Sequence, residues 1–165
     1  MTEVRALGAA DADRLRDLRL RALSDAPEAF ASTAREEAAL PTDRWFELAE
    51  RSEHADAIVI FVAVDGERWV GMAAGQWHDR GQGIAQLWGM WVEPAMRGRR
   101  IGERLVAAVR AWAADHGGRF VRVGVVTAEG DPTPFYERLG FVGTGEGKPL
   151  PRDPARRAHF LARPV

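Results

Sequence analysis

The 165-residue sequence predicts a single α/β domain, a mixed sheet with helices packed against it. Three observations lead there. Hydrophobic residues make up 46% and charged residues 28%, the balance of a globular chain long enough to bury one substantial core. Segments patterned as strands interleave with segments patterned as helices, without repeats, low-complexity tracts or a long linker. Turn chemistry separates them: Pro27, Asp65-Gly66, Gly117 and Gly140 each fall where a periodic pattern stops.

Thr2–Ala6 reads as a short first strand. In "ADADRLRDLRLRALSDAP", Leu15, Leu18 and Leu23 share one face with arginines opposite, an amphipathic helix stopped near Pro27. "PTDRWFELAER" begins a second helix, with Pro41 and Asp43 as start signals. "AIVIFVAVDGERWVGMAAGQW" is two strands joined by an Asp65-Gly66 turn, a strong hairpin signal. "IAQLWGMWV", residues 84–92, is apolar on both faces and reads as a buried strand. It feeds a helix from about 99 to 116, with His116 in the last turn and Gly117 just beyond. "RFVRVGVV" is a strand over about 119–126. In "DPTPFYERLG", Asp131 suits the N-cap, Pro132 the first helical position and Gly140 the terminator. "FVGTG" and "RRAHFLARPV" close the chain as strands around a Pro- and Gly-rich loop at about 145–154. The order is β-α-α-β-β-β-α-β-α-β-β.

Composition narrows the function. A formal net charge of −1 gives no general attraction for nucleic acid, so any anion site must be local. With no cysteine there is no disulfide, thiolate nucleophile or Cys-based metal site, and His54, His78, His116 and His159 show no ligand spacing, so no metal is expected. The N-terminus lacks a basic-then-apolar leader and no apolar run nears the ~18 residues of a membrane span, so cytoplasmic residence without membrane association is expected. Lys148 is the only lysine; the Arg, Ala and Gly content fits a GC-rich bacterial genome.

The stretch "RGRRIG", residues 97–102, is electrostatically odd. Arg97, Arg99 and Arg100 crowd a helix start, where the macrodipole is positive and each cation is unfavourable by roughly 0.3–1 kcal/mol. No Ser, Thr, Asp or Asn caps it at 97–100. Gly98 frees the turn and Gly102 removes a side chain where an anion would approach. A strand, a short glycine turn and a helix start form the general phosphate-binding element. A bound pyrophosphate would cap the helix and neutralise the arginines; alternatively Glu93 and Glu103 offset arginines that point into water. The pattern is neither a Walker A motif nor a G-x-G-x-x-G fingerprint.

"LWGMWVEPAMRGRRIGERLVAAVRAW", with its strand, its Val-x-Pro and Arg97-Gly98-Arg99-Arg100-Ile101-Gly102, resembles the acetyl-CoA-binding segment of the GCN5-related N-acetyltransferase (GNAT) family. The family signature there is Arg/Gln-x-x-Gly-x-Gly/Ala. A second segment, "FYERLGF", begins 33 residues after Gly102 and resembles the family's aromatic-Tyr…Leu-Gly-Phe motif. The resemblance implies the GNAT fold, a mixed central sheet of six to seven strands, with two parallel strands that splay apart to admit the pantetheine arm of acetyl-CoA. Trp91 and Val92 are implied as backbone partners of that arm, Arg97, Gly98, Arg99, Arg100, Ile101 and Gly102 as the pyrophosphate site, and Glu103 as a further cofactor-binding residue. Gly89 is expected to mark a bulge.

The implied chemistry is direct transfer to an amine. Tyr136 matches the family's proton donor to the departing thiolate and completes the cofactor contacts; on the helix itself, Phe135 and Leu139 take the inward line and leave Tyr136 off it. Glu129 or Glu93 is a candidate base. Two departures stand out: Arg100 occupies the signature's first glycine, and Glu129 stands where the second motif often has Asn. The first two helices and terminal hairpin would form the acceptor site. There Glu28, Glu36 and Glu37 would suit a cationic amine, with Phe30 as an aromatic neighbour and Trp77 and Trp88 as a flat apolar wall. The expected partners are acetyl-CoA and a small-molecule or peptide amine, without nucleic acid, in a monomer or homodimer. The rival function is a non-catalytic acyl-CoA-binding module.

Overall fold

The computed structural model describes residues 1–127 and 130–165. In chain order the elements are β1 (Thr2–Ala6), α1 (Ala12–Asp25), α2 (Ala34–Ala38), α3 (Thr42–His54), β2 (Ile58–Asp65), β3 (Arg68–Asp79), β4 (Ile84–Val92), α4 (Ile101–Asp115), β5 (Phe120–Val126), α5 (Thr133–Arg138), β6 (Val142–Pro149) and β7 (Arg157–Pro164). The strands form one seven-stranded mixed sheet ordered β1-β2-β3-β4-β5-β7-β6. Among the described residues only β4 and β5 pair in parallel.

Helices cover both faces. Leu15, Leu18 and Ala22 of α1 and Trp45 and Ala49 of α3 bury against Ile60, Val62, Met72 and Trp91 on one side. On the other, Leu105, Val109 and Trp112 of α4 pack with Ala85, Leu87, Val121 and Val123. The strands are apolar to both sides for this reason, as expected of a sheet buried between helical layers. Among the described residues no helix is long and apolar enough to cross a membrane.

Three local expectations need correction. Asp65 pairs with Arg68, so the hairpin turn is Gly66-Glu67, one residue later than expected, with Gly66 at φ +62°. The 34–38 segment forms a helix of its own, α2. Thr33 caps it, its hydroxyl accepting from the Glu36 N–H at 3.2 Å while the Glu36 carboxylate accepts from the Thr33 N–H at 3.2 Å. The terminal loop is shorter than expected because β6 continues to Pro149, its register shift between Gly143 and Gly147 absorbing the glycines.

The feature that positions the site is a break in the sheet. β4 and β5 pair only where residues 84–87 face 120–123. Beyond Leu87 and Val123, β4 stays with β3 and β5 stays with β7. Met72 faces Trp91 while Ala74 faces Trp88, so three steps on β4 match two on β3. This bulge contains Gly89 at φ +63°, the residue expected to mark it.

Candidate active site

The splay opens onto the start of α4. The bend after β4 places Gly98 at φ +78° and Arg100 at φ +60°, so Arg100 holds the left-handed conformation that glycine adopts without cost. Among the described residues no side chain caps α4. Among the described residues, the amides of 98–103 donate to no carbonyl or side chain. Backbone pairing resumes at Arg104, whose N–H reaches the Arg100 carbonyl at 3.1 Å. Six consecutive free donors at the positive end of a 15-residue helix make a strong anion cradle.

The arginines divide. Arg97 turns back onto the protein: its Nε donates to the Val92 carbonyl at 3.0 Å and its Nη2 to Asp25 at 2.7 Å. Asp25 also accepts from the Trp91 indole at 2.8 Å. Arg97 therefore braces the bend, contrary to its expected phosphate role, and Asp25 is a site residue that no sequence motif marks. Arg99 and Arg100 are exposed, Arg100 only loosely paired with Glu103 at 3.7 Å. Gly102 differs too: a Cβ there would lie 2.6 Å from Met90 Cε and 3.2 Å from Phe135 Cζ. Its missing side chain makes room for protein packing, not for an anion. Ile101 is buried and anchors the first turn.

Along β4, the Glu93 N–H donates to the Val70 carbonyl at 2.8 Å. Alternation turns Trp91 toward β3 as well, and the Val92 N–H toward the gap. Of the two expected backbone partners, Val92 faces the right way and Trp91 does not.

Phe135 packs on Gly102, its Cζ 3.2 Å from where a Cβ would stand, which sets α5 beside the first turn of α4. Tyr136 is 4% exposed and stands edge-on to Phe135 and Phe141, ring centroids 5.0 and 5.5 Å away. It is the buried residue of α5, while Phe135 and Leu139 are half-buried, the reverse of the helical line read from sequence. Burial alone pushes its phenol above the usual value near 10, so it stays protonated at neutral pH.

On the sheet face opposite α4, a cavity of about 260 Å³ lies between α1, α2, α3 and the strands. Arg19 reaches across it. Its Nε and Nη2 donate to Glu37 at 2.9 Å each, and its guanidinium lies 4.7 Å above the Phe30 ring and 5.8 Å from that of Trp88. Among the described residues, no group of His, Cys, Asp and Glu is placed to hold a metal.

A model of the acetyltransferase (GNAT) family matches residues 16–141. The chain belongs to the GNAT family. No curated protein matches it. Solved structures do, over nearly the whole chain. A GNAT acetyltransferase from Streptococcus pneumoniae is similar at a TM-score of 0.81 and 15% identity, covering 100% of each chain. PaiA N-acetyltransferase from Thermoplasma acidophilum, solved with coenzyme A, gives 0.78 and 16%, covering 100% of this chain and 99% of its own. An acetyltransferase from Salmonella typhimurium solved with acetyl-CoA gives 0.75 and 16%, over 99% and 94%.

Within this GNAT fold the remaining expected residues scatter. Trp77 lies on the α4 face, its ring centroid 5.2 Å from that of Trp112, so it forms no wall with Trp88. Glu93 is clasped by Arg68 and faces Arg21 at 3.9 Å, which ties the β4 end to β3 and α1. Glu129 lies outside the described residues. The three acceptor-side glutamates are each matched: Glu28 to Arg156 at 2.5 Å, Glu36 to Arg152, and Glu37 to Arg19. They leave no free negative charge to attract a cation.

Proposed function

We propose that this protein transfers an acetyl group from acetyl-CoA to an amine by direct attack within a ternary complex. The observation that carries the reading is the splay of β4 and β5 beside six free amides, with α5 and its buried, protonated Tyr136 packed against the start of α4. The relatives from Thermoplasma and Salmonella that bind coenzyme A or acetyl-CoA support it. The thioester supplies an activated acyl carbon: the amine lone pair forms the C–N bond as the C–S bond breaks.

The chain's part is positioning and proton supply. The 98–103 amides, with Arg99 and Arg100, hold the pyrophosphate. The Val92 N–H pairs with the inserted arm, extending the sheet edge. Tyr136 gives its phenol proton to the leaving sulfur and is restored by the proton that the amine nitrogen sheds as the amide forms, so the phenol, kept neutral by burial, ends the cycle neutral. Glu93 is held in its ion pairs, so the amine enters neutral, having left its proton to solvent.

The test is thiol release from acetyl-CoA across a panel of amines. Tyr136→Phe is expected to lower kcat about 100- to 10,000-fold with little change in acetyl-CoA affinity, the range of a positioned acid. An unchanged kcat removes Tyr136 from the chemistry. Acetyl-CoA binding without release for any amine would point to the non-catalytic acyl-CoA-binding module.

A further inference from the structure

Three residues that line the cavity under α1 and α3 each hold a buried N–H group without a partner: Arg19 Nη1, Trp45 Nε1 and Trp88 Nε1. Buried donors are nearly always satisfied, and three on the walls of one cavity, among the described residues, point to a ligand that satisfies them as the walls adjust around it. The Arg19 side chain is 10% exposed, and its bidentate bond to Glu37 fixes the guanidinium plane so that Nη1 is the nitrogen left over. That nitrogen lies 3.5 Å from where a Gly89 Cβ would stand, so it abuts the β4 bulge at the splay.

The cavity offers donors and few acceptors. Both Glu37 oxygens are taken by Arg19, and Glu47 is bonded to Arg44 at 3.1 Å. Three arginines and two glutamates line it, a surplus of one positive charge. Apart from Ser32, whose hydroxyl faces Glu36, the rest of the lining is apolar or aromatic, with Leu15, Leu48 and Met72. An occupant therefore needs anionic oxygen near the bulge and an apolar body behind it.

We propose that the acceptor is an apolar α-amino acid, its carboxylate bound by Arg19, Trp45 and Trp88. The carboxylate and the amine are one carbon apart in such a molecule, so a carboxylate seated beside Gly89 brings its amine to the gap. This rests on the reading of the site as one that acetylates amines, and it replaces the cationic acceptor that the glutamate-rich sequence suggests.

The experiment measures thiol release from acetyl-CoA with leucine, methionine and phenylalanine, each beside its carboxamide and its decarboxylated amine. At least one free amino acid is expected to exceed both of its analogues in kcat/KM by about tenfold or more, because the carboxamide sets an NH2 donor against buried donors and the decarboxylated amine leaves them all unpaired. Trp88→Phe removes one donor and keeps a ring. It should raise KM for that amino acid several-fold more than KM for its decarboxylated amine, whereas a purely structural defect would raise both equally. Equal use of acids and analogues, or equal shifts for both in Trp88→Phe, overturns the proposal. Calorimetry of the same compounds with the protein and coenzyme A separates the two readings. Carboxylate-selective binding without thiol release ends the transferase reading and keeps this site; no selective binding and no selective turnover ends this one.

Discussion

Arg100 shows how one residue is read differently in sequence and in space. Its backbone at φ +60° costs an L-residue about 1–2 kcal/mol that glycine avoids, although glycine gives back part of this in chain entropy. Arg100→Gly should therefore raise stability by about 0.5–1 kcal/mol in urea denaturation. The side chain is 83% exposed on the rim of the amide cradle. If it reaches the 3′-phosphate of coenzyme A, the variant loses affinity for coenzyme A but not for dephospho-coenzyme A. Equal losses for both, or none, reject that contact. The misplaced charge is legible in "RGRRIG", and so is the turn at Gly98. The role of Arg97 is not, because its partner Asp25 sits 72 residues away and only the packing of α1 brings it near. Glu28, Glu36 and Glu37 mislead for the same reason: Arg156, Arg152 and Arg19 that match them lie far along the chain or across a helix face.

At the scale of elements, hydrophobic period and turn residues locate β2 to β5 and α4 closely, since buried strands and an amphipathic helix each follow one simple rule. α2 escapes that rule although Thr33-x-x-Glu36 carries its capping box, because five residues give no periodicity. Trp77 and Trp88 look like one wall in the sequence because strand alternation alone does not fix which face of each strand meets which helix; the β3–β4 register sends them to opposite layers. The β4 bulge is where an element becomes a site. A Cβ added at Gly89, φ +63°, would find ordinary contact distances, 3.5 Å to Arg19 and to Met72, so space is not what requires glycine. Conformation is. Gly89→Ala is expected to cost about 1–2 kcal/mol in urea denaturation through its left-handed backbone. It should also weaken acetyl-CoA binding as β4 straightens toward β5; unchanged binding would separate the bulge from the gap.

The whole molecule is a sheet held together across its middle by few bonds. β1 to β4 form one antiparallel half and β5, β7 and β6 the other, joined in the sheet only where 84–87 meet 120–123, with α4 connecting them. A ligand arm lying between the halves would supply the pairing that the splay removes. Its binding energy would then appear as stability of the entire fold, because the unfolded chain has no such gap. At a hundred times its Kd, a ligand that binds only the native state adds about 2.7 kcal/mol. For a chain of this size each kcal/mol raises Tm by roughly 2–4 °C, so coenzyme A should raise it by roughly 5–10 °C. Adenosine 3′,5′-bisphosphate lacks the pantetheine arm and should protect only the 98–103 amides from hydrogen exchange. Coenzyme A should also protect amides in 88–92 and 124–126, on both sides of the gap. Protection confined to 98–103 with either ligand would mean that the arm does not bridge the halves, and the sheet's central break would need another explanation.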